Sequence, residues 1–148
     1  MMQTSKTFIM KKLLVVTALI LFAGVAFGQT LKKGAILGIH ETTITLKPDV
    51  TMDQLLDFLT NKWYPEINKL TEGEGVEFFL LRCDRGEKTG NLAWGIYCES
   101  EKVRNTYWPG DGSGSGKGGQ LWQKMGPLNE ELSKLITYEN VGGDWKVL

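Results

Sequence analysis

The sequence predicts an α+β fold in which helices pack on a four-stranded antiparallel sheet. Two apolar runs, 76–83 and 92–98, flank the polar, glycine-containing segment 84–91, which is the pattern of a β-hairpin. The run 51–70 repeats apolar residues at steps of three and four, as an amphipathic helix does. A β-branched strand precedes this helix, and a second helical region and a closing strand follow the hairpin. The order strand, helix, strand, strand, helix, strand leaves the helices on one face of the sheet.

The first 28 residues are predicted to be a secretory signal peptide. A lysine pair precedes the apolar run 13–22, and small residues stand at the −3 and −1 positions of a cleavage site between Gly28 and Gln29. The alternative is a membrane anchor, but the apolar stretch is shorter than the roughly 20 residues that a spanning helix needs. We therefore expect cleavage and export to the periplasm or the medium, with no membrane association afterwards.

The mature chain, 29–148, has the length of one domain, and Met10 is an alternative start of the precursor. Seventeen Lys and Arg residues balance seventeen Asp and Glu residues, so no basic surplus favours binding of nucleic acid. The glycine- and serine-rich segment 110–119 is predicted to be a flexible loop inside this domain.

The first long helix is expected to begin after Thr51, which has the side chain of an N-cap. Pro65 lies inside the helical pattern and predicts a kink near Tyr64, because proline has no backbone N–H. Ser100 is expected to cap a shorter helix after the hairpin. In the closing strand, the glycine pair at 142–143 predicts a bulge or bend.

The hairpin also determines what the two cysteines of the chain can do. If it closes near residues 87–88, Cys83 lies opposite Leu92 or Ala93, and the two sulfurs are roughly 17 Å apart along the ladder. A disulfide needs Cα atoms within about 7 Å of each other. Cys83 and Cys98 are therefore predicted to be unpaired, mostly buried thiols.

Both faces of the hairpin are apolar. Val76, Phe78 and Leu80 point to one face, while Phe79 and Leu81 point to the other. An antiparallel sheet with one solvated face would instead alternate apolar and polar residues. Helices of the same chain cover one face, so we expect the other to pack on a second subunit, as a homodimer, or to line a cavity.

The predicted order of elements is the split βαβ, ferredoxin-like βαββαβ arrangement. With a His-Glu pair at 40–41, a Trp-Tyr-Pro helix at 63–65 and an Arg-Gly turn at 85–86, the chain resembles the dimeric α/β-barrel superfamily. That group includes antibiotic-biosynthesis-type monooxygenases, stress-responsive barrel proteins and NIPSNAP-like proteins. The resemblance implies that two sheets face each other in a dimer and enclose a cavity on the open sheet face. The same scaffold serves many functions, so the resemblance does not give this one.

His40 is the single histidine and the candidate catalytic residue, either as a base or as a haem ligand; the alternative is an ordinary hydrogen-bonded strand histidine. One histidine and two separated cysteines do not predict a zinc site. Haem-degrading barrel proteins use an Asn, a Trp and a His. Trp94 matches the Trp, but His40 stands where the family carries its Asn, and the second helical region has no histidine. No metal or cofactor is predicted.

We expect the chain to bind a small apolar or aromatic molecule in the cavity on the open sheet face. The candidate ligand-binding residues are His40, Arg82, Trp94, Tyr97, Tyr107 and Trp108. Of these, Arg82 could hold a ligand carboxylate or be an exposed edge charge. Two alternatives remain open: a cofactor-independent monooxygenase or isomerase in the same barrel, and a non-catalytic protein-interaction module. Converging polar groups in the cavity would favour the enzyme, whereas a filled cavity would favour the module.

Overall fold

A four-stranded antiparallel sheet forms the centre of the computed structural model, which describes residues 31–110 and 116–148. The strands are β1 (Ile36–Leu46), β2 (Val76–Arg82), β3 (Leu92–Cys98) and β4 (Ile136–Lys146), in the order β2-β3-β1-β4. All neighbouring strands pair antiparallel, and Lys32–Leu148 form one compact unit. The predicted α+β class and four-stranded antiparallel sheet are confirmed. The predicted signal peptide and the alternative start at Met10 lie outside the described residues.

The long helical segment after β1 begins at the predicted cap. It comprises α1 (Met52–Phe58), a π-helical turn (Leu59–Trp63) and α2 (Tyr64–Leu70). The Thr51 hydroxyl accepts a hydrogen bond from the backbone N–H of Gln54 at 3.2 Å, and the Gln54 side chain accepts one from the Thr51 backbone N–H at 2.8 Å, which is a complete capping box. The π-helical turn ends at Trp63, two residues before Pro65, which has no N–H to donate to the preceding turn. The helix therefore departs from α geometry near the predicted place.

The second helical region contains α3 (Glu101–Tyr107), α4 (Lys117–Lys124) and α5 (Gly126–Leu135). Ser100 caps α3 by accepting a hydrogen bond from the Val103 backbone N–H at 3.3 Å. The prediction of a flexible loop over 110–119 is wrong for its last residues, because Gly116 is the N-cap of α4. A side chain at Gly116 would meet the Tyr107 carbonyl oxygen at 2.5 Å, so this glycine packs tightly against the end of α3. Residues 111–115 of that prediction lie outside the described residues.

The hairpin forms as predicted, but its register is shifted by one to two residues. Cys83 donates its backbone N–H to the Asn91 carbonyl at 2.8 Å, whereas the expected partners were Leu92 or Ala93. The turn is therefore tighter than the sequence predicted. Gly86 and Gly90 in it adopt positive φ angles of 98° and 93°, which other residues rarely adopt. Both cysteines are free, as predicted; Cys98 is buried and Cys83 is half-buried.

The predicted bulge in β4 is wrong. Pairing of β1 with β4 is continuous over eleven residues, and Gly142 and Gly143 lie opposite His40 and Ile39 in regular register. The glycine at position 142 has another role, since a Cβ there would lie 2.2 Å from the Ile39 carbonyl oxygen. Close approach between the strands, and not a bend, requires the glycine.

The helices cover one face of the sheet, and the hydrophobic core lies between the two layers. Its fully buried side chains include Leu55, Leu59, Ile67, Met125 and Ile136. The opposite face, called the open face below, is mostly apolar, as predicted, but also carries Glu41, Glu77 and Glu139. Its apolar residues are Leu37, Ile39, Phe79, Leu81, Ala93, Tyr97, Val141 and Trp145. Within the described ranges, no helix is long and apolar enough to cross a bilayer.

Candidate functional site

A cavity of about 560 Å³ lies between the sheet and the helices. Its floor consists of the helix-facing residues of the strands, and its walls come from the long helical segment and from α3, α4 and α5. Seven aromatic side chains line it: Trp63, Tyr64, Phe78, Trp94, Trp108, Trp122 and Tyr138. This cavity is on the helix-covered face, opposite to the face where one was expected. A cavity on the open face requires a second copy of the chain and stays a prediction.

Trp94, on β3, is the centre of the aromatic wall. The Tyr64 ring stacks on it at a centroid distance of 6.0 Å and an interplanar angle of 26°. The rings of Trp63 and Tyr138 lie 5.8 and 5.9 Å from it. Trp63 in turn lies 6.0 Å from Trp122 of α4. The rings therefore form a continuous surface along which a flat apolar molecule can lie.

Two hydrogen-bond donors on this wall are buried and have no partner within the described residues: the Tyr64 hydroxyl and the Trp94 indole N–H. The neighbouring indole of Trp63 is different, because its Nε1–H donates to Asn129 Oδ1 at 2.9 Å. Burial raises the pKa of Tyr64, so its hydroxyl keeps its proton. An unpaired buried polar group costs about 1–3 kcal/mol of stability, so these two donors weaken the packing of the wall.

One end of the cavity is polar. Asp144 Oδ1 and His40 Nε2 lie 3.3 and 3.5 Å from the point that a Cβ at Gly38 would occupy. Gly38 thus leaves the space in which the two side chains converge. Arg104, on α3, donates from Nη1 to Asp144 Oδ2 at 2.7 Å, and its Nε is buried without a partner in the described part of the chain. Burial, with a contribution from Asp144, raises the pKa of the neighbouring Cys98 thiol to about 11, which favours the protonated thiol at neutral pH.

Gly142 determines how His40 lies. A Cβ at Gly142 would be 2.7 Å from His40 Nδ1, so the imidazole packs directly on the β4 backbone. With Nδ1 held there, Nε2 points toward Gly38 and the polar end of the cavity. No pattern in the sequence indicates this, because the pairing of His40 with Gly142 depends on the register of two strands that are far apart along the chain.

Three of the predicted site residues, His40, Trp94 and Trp108, line the cavity together. Tyr107 is buried beside Trp108, with ring centroids 5.4 Å apart, and packs in the core. The other two lie away from the cavity. Tyr97 is on the open face opposite Leu37, and Arg82 is exposed at the end of β2. The structure thus brings together half of the predicted set.

Tyr64, Arg104 and Asp144 line the cavity but are not among the candidate ligand-binding residues predicted from the sequence. Tyr64 follows Trp63 in a helix that could be read entirely as core packing, and only its unpartnered hydroxyl distinguishes it. Asp144 reaches the site because β4 places it opposite Gly38. No local pattern in the sequence signals that pairing.

Among the described residues, no cluster of three or more His, Cys, Asp or Glu side chains could hold a metal ion. The strand order is compatible with a ferredoxin-like arrangement, which describes architecture and not activity. In comparisons with known protein families, curated proteins and solved structures, the chain finds no match.

Proposed function

We propose that this chain binds a small apolar or aromatic molecule in the cavity between its sheet and its helices. The observation that carries the proposal is the aromatic wall of a cavity of about 560 Å³, a volume within the range of small-molecule sites. Such sites are mostly apolar and hold a few polar groups that orient the ligand. Here those groups are His40, Arg104 and Asp144 at the polar end beside Gly38.

Export is part of the proposal. The pattern at residues 1–28 supports cleavage after Gly28 and a mature protein, 29–148, that acts in the periplasm or outside the cell. A ligand-binding protein in that location would meet its ligand outside the cytoplasm.

The second part of the proposal is a homodimer of ferredoxin-like domains, with the open faces packed together as in a dimeric α/β barrel. Its support is the exposure of large apolar side chains on this face: Val141 is 79% exposed, Trp145 67% and Leu81 40%. Exposed apolar patches of this kind mark protein interfaces. A second copy would cover the same patch by two-fold symmetry.

The mass of the purified mature chain, 29–148, tests both parts. Native mass spectrometry of a dimer carrying extra mass, released on denaturation, would support the bound ligand and identify it. Trp145→Lys should shift the chain to a monomer, whereas Met52→Lys, which changes an exposed apolar residue outside both the open face and the cavity, should not. A wild-type monomer at micromolar concentration would refute the dimer.

Filling the cavity tests the site directly. Gly38→Val adds a side chain at the polar end, and Gly143→Val adds the same side chain on the open face, where a Cβ meets no atom within 4 Å. We expect the first substitution to abolish quenching of tryptophan fluorescence by 2-isopropylnaphthalene and the second to leave it unchanged. Urea denaturation confirms that each variant folds, and Gly38→Ala replaces Gly38→Val if the larger side chain prevents folding. Equal quenching in both variants would place the ligand elsewhere and refute this site.

The convergence of His40 Nε2 and Asp144 Oδ1 favours one further candidate function, a cofactor-independent isomerase or monooxygenase. In either, His40 would move a proton to or from a bound carbon acid. Incubation of the released ligand with the protein in D₂O tests this. Exchange of a ligand C–H for deuterium that is lost in His40→Gln would support catalysis, and no exchange would leave a binding protein.

A further inference from the structure

We propose that β4 binds an extended peptide of another protein as an additional strand, with apolar side chains that enter the cavity and Lys or Arg at the positions between them. The inference rests on the proposed function, because the cavity proposed to hold a small apolar molecule is the one that these side chains enter.

The hydrogen bonds at the two ends of β4 show which of its backbone groups are free. The Leu135 carbonyl accepts a hydrogen bond from the Lys47 N–H at 2.9 Å. At the other end, the Val147 N–H donates to the Ala35 carbonyl at 2.9 Å, so the odd-numbered residues of β4 bond to β1. Because backbone groups alternate in direction along an antiparallel strand, the even-numbered residues direct theirs away from the sheet. This outer edge includes the N–H and C=O groups of Tyr138, Asn140, Gly142 and Asp144.

The opposite edge of the sheet, on β2, is protected by a side chain. Asn68 of α2 accepts a hydrogen bond from the Phe78 N–H at 2.7 Å and donates one to the Phe78 carbonyl at 2.8 Å. Along β4, no comparable bond satisfies the outer edge within the part of the chain that the structure describes. An unprotected strand edge is a template for pairing with another strand. The fold therefore protects one edge of the sheet and leaves the other able to accept a strand.

β4 is also long and regular enough to pair with a peptide. All of its residues except Ile136 are exposed, and it pairs with β1 without a bulge. Two of its charged side chains bond to α3 and so do not extend across the edge. Asp144 pairs with Arg104 at 2.7 Å. Lys146 pairs with Glu101 at 3.0 Å.

The cavity opens to solvent along this same edge. Four of its described lining residues are exposed: Trp122 of α4, and Tyr138, Asn140 and Asp144 of β4. Residues that face each other in an antiparallel pair have side chains on the same face of the sheet. The peptide residues that bond to the even-numbered residues of β4 therefore point to the helix side, at the mouth of the cavity. Apolar and aromatic side chains fit there, because the cavity wall is aromatic.

Charge determines the side chains at the other positions of the peptide, which lie on the open face. The described strands carry Glu41, Glu77 and Glu139 on this face, and no Lys or Arg. Glu139 is exposed and belongs to β4 itself. A Lys or Arg directly across from it would form a favourable cross-strand pair.

A second copy of β4 does not have this pattern. Its open-face residues include Glu139 and no Lys or Arg, and its helix-facing residues include Asn140, Gly142 and Asp144 in place of apolar side chains. Pairing of two β4 strands would therefore leave the cavity without an apolar side chain. The edge matches a peptide of different composition better than it matches itself.

N-methylated heptapeptides test the pairing on the mature chain. The parent peptide is acetyl-Lys-Phe-Lys-Leu-Lys-Phe-Lys-amide, methylated on the backbone nitrogens of its three apolar residues or of three of its lysines. The apolar residues are those that bond to β4, so methylation there should weaken binding at least about tenfold. Methylation of the lysines, whose N–H groups face solvent, should leave the affinity unchanged. Calorimetry measures the affinity, and displacement of 2-isopropylnaphthalene, seen as recovery of tryptophan fluorescence, reports entry into the cavity.

Two protein variants test the charge. Glu139→Lys should weaken binding of the lysine peptide about fivefold and strengthen binding of the same peptide with Glu in place of Lys. Glu72→Lys, which changes an exposed carboxylate in the turn before β2, should do neither. Both substitutions are on the surface, and urea denaturation verifies that the variants fold.

Amide hydrogen exchange, measured by NMR, locates the peptide. Without peptide, the amides of Asn140, Gly142 and Asp144 should exchange fast, whereas that of Phe78 should exchange slowly because Asn68 accepts from it. The peptide should slow exchange of the first three at least about tenfold.

Equal weakening by the two sets of N-methyl groups would overturn strand addition. Slow exchange of the outer β4 amides without peptide would also overturn it, because the edge would already be covered by a second copy or by the chain itself. If 2-isopropylnaphthalene binds but no peptide displaces it, the inference fails and the proposed function stands. If neither binds, both fail.

Discussion

Gly142 and Gly143 are neighbours on β4, and alanine at the two positions should change stability in opposite directions. A Cβ at Gly142 would lie 2.2 Å from the Ile39 carbonyl oxygen and 2.6 Å from the His40 Cα. A Cβ at Gly143 meets no atom within 4 Å. Neither glycine has a positive φ, so backbone strain does not separate them. The difference comes from the close approach of β1 to β4 at His40.

The size of the effect follows from these distances. At Gly142 the added carbon is about 1 Å inside van der Waals contact with backbone atoms, so the strands must move apart. Overpacking of this kind costs roughly 1–3 kcal/mol. At Gly143 the alanine loses less backbone entropy on folding and should add about 0.5–1 kcal/mol of stability. The free energies of unfolding of the two variants should therefore differ by about 1.5–4 kcal/mol.

Urea denaturation at one fixed protein concentration measures this difference, and the two midpoints should lie about 1–2 M apart. The NMR signal of His40, the single histidine, gives a second readout. It should shift in Gly142→Ala and stay in place in Gly143→Ala. If Gly142→Ala were as stable as the wild type and its histidine signal unmoved, the packing of His40 on β4 would be wrong, and with it the direction of Nε2.

Three further predictions concern the caps, the thiols and the turn. Thr51→Ala should lower the free energy of unfolding by about 1 kcal/mol, measured in urea, because the capping box is lost. Cys98 should resist an aromatic disulfide reagent at mildly alkaline pH until the chain unfolds, while Cys83 reacts earlier, since burial raises the pKa of Cys98 to about 11. Hydrogen bonds from Lys88 and Asn91 hold the pKa of Glu41 below its usual value. In Lys88→Met, NMR titration should show a higher pKa for Glu41.

Because the folded pKa of Glu41 is lowered, its ion pair contributes stability above the unfolded pKa and loses it as the pH falls through the folded pKa. Lys88→Met should therefore lose less stability than the wild type on acidification. An unchanged titration of Glu41 would refute this ion pair. Labelling of both thiols at one rate would contradict the burial of Cys98, and a neutral Thr51→Ala would show that the Thr51 hydroxyl does not stabilise α1.

Local patterns determined the elements of this fold. The helix from Thr51 and the cap at Ser100 follow from side chains that bond to backbone groups three residues away, so the sequence contains the whole interaction. The alternation in β2 and β3 assigned residues to two faces, since a strand repeats every two residues. These are short-range effects, and the structure reproduces them.

Long-range pairing decided what the patterns could not. The glycines at 142–143 predicted a bulge, but β1 pairs with β4 without interruption and Gly142 accommodates His40. The hairpin register depended on positive φ angles at Gly86 and Gly90, which composition does not give. Gly116 starts a helix because it fits against Tyr107, a contact outside any local window.

The site shows the same division. His40, Trp94 and Trp108 could be named from the sequence because a histidine and large aromatic residues are rare and chemically distinctive. Tyr64 and Asp144 could not be named as candidates in this way. Tyr64 is set apart only by its unpaired hydroxyl. Asp144 reaches the site only because its partner across the sheet is Gly38 on β1, which is far away in the sequence. By itself the sequence determined which residues share a face of the sheet. Only the tertiary structure decided that the helices leave a cavity on the face they cover, because that depends on how far the side chains hold the two layers apart.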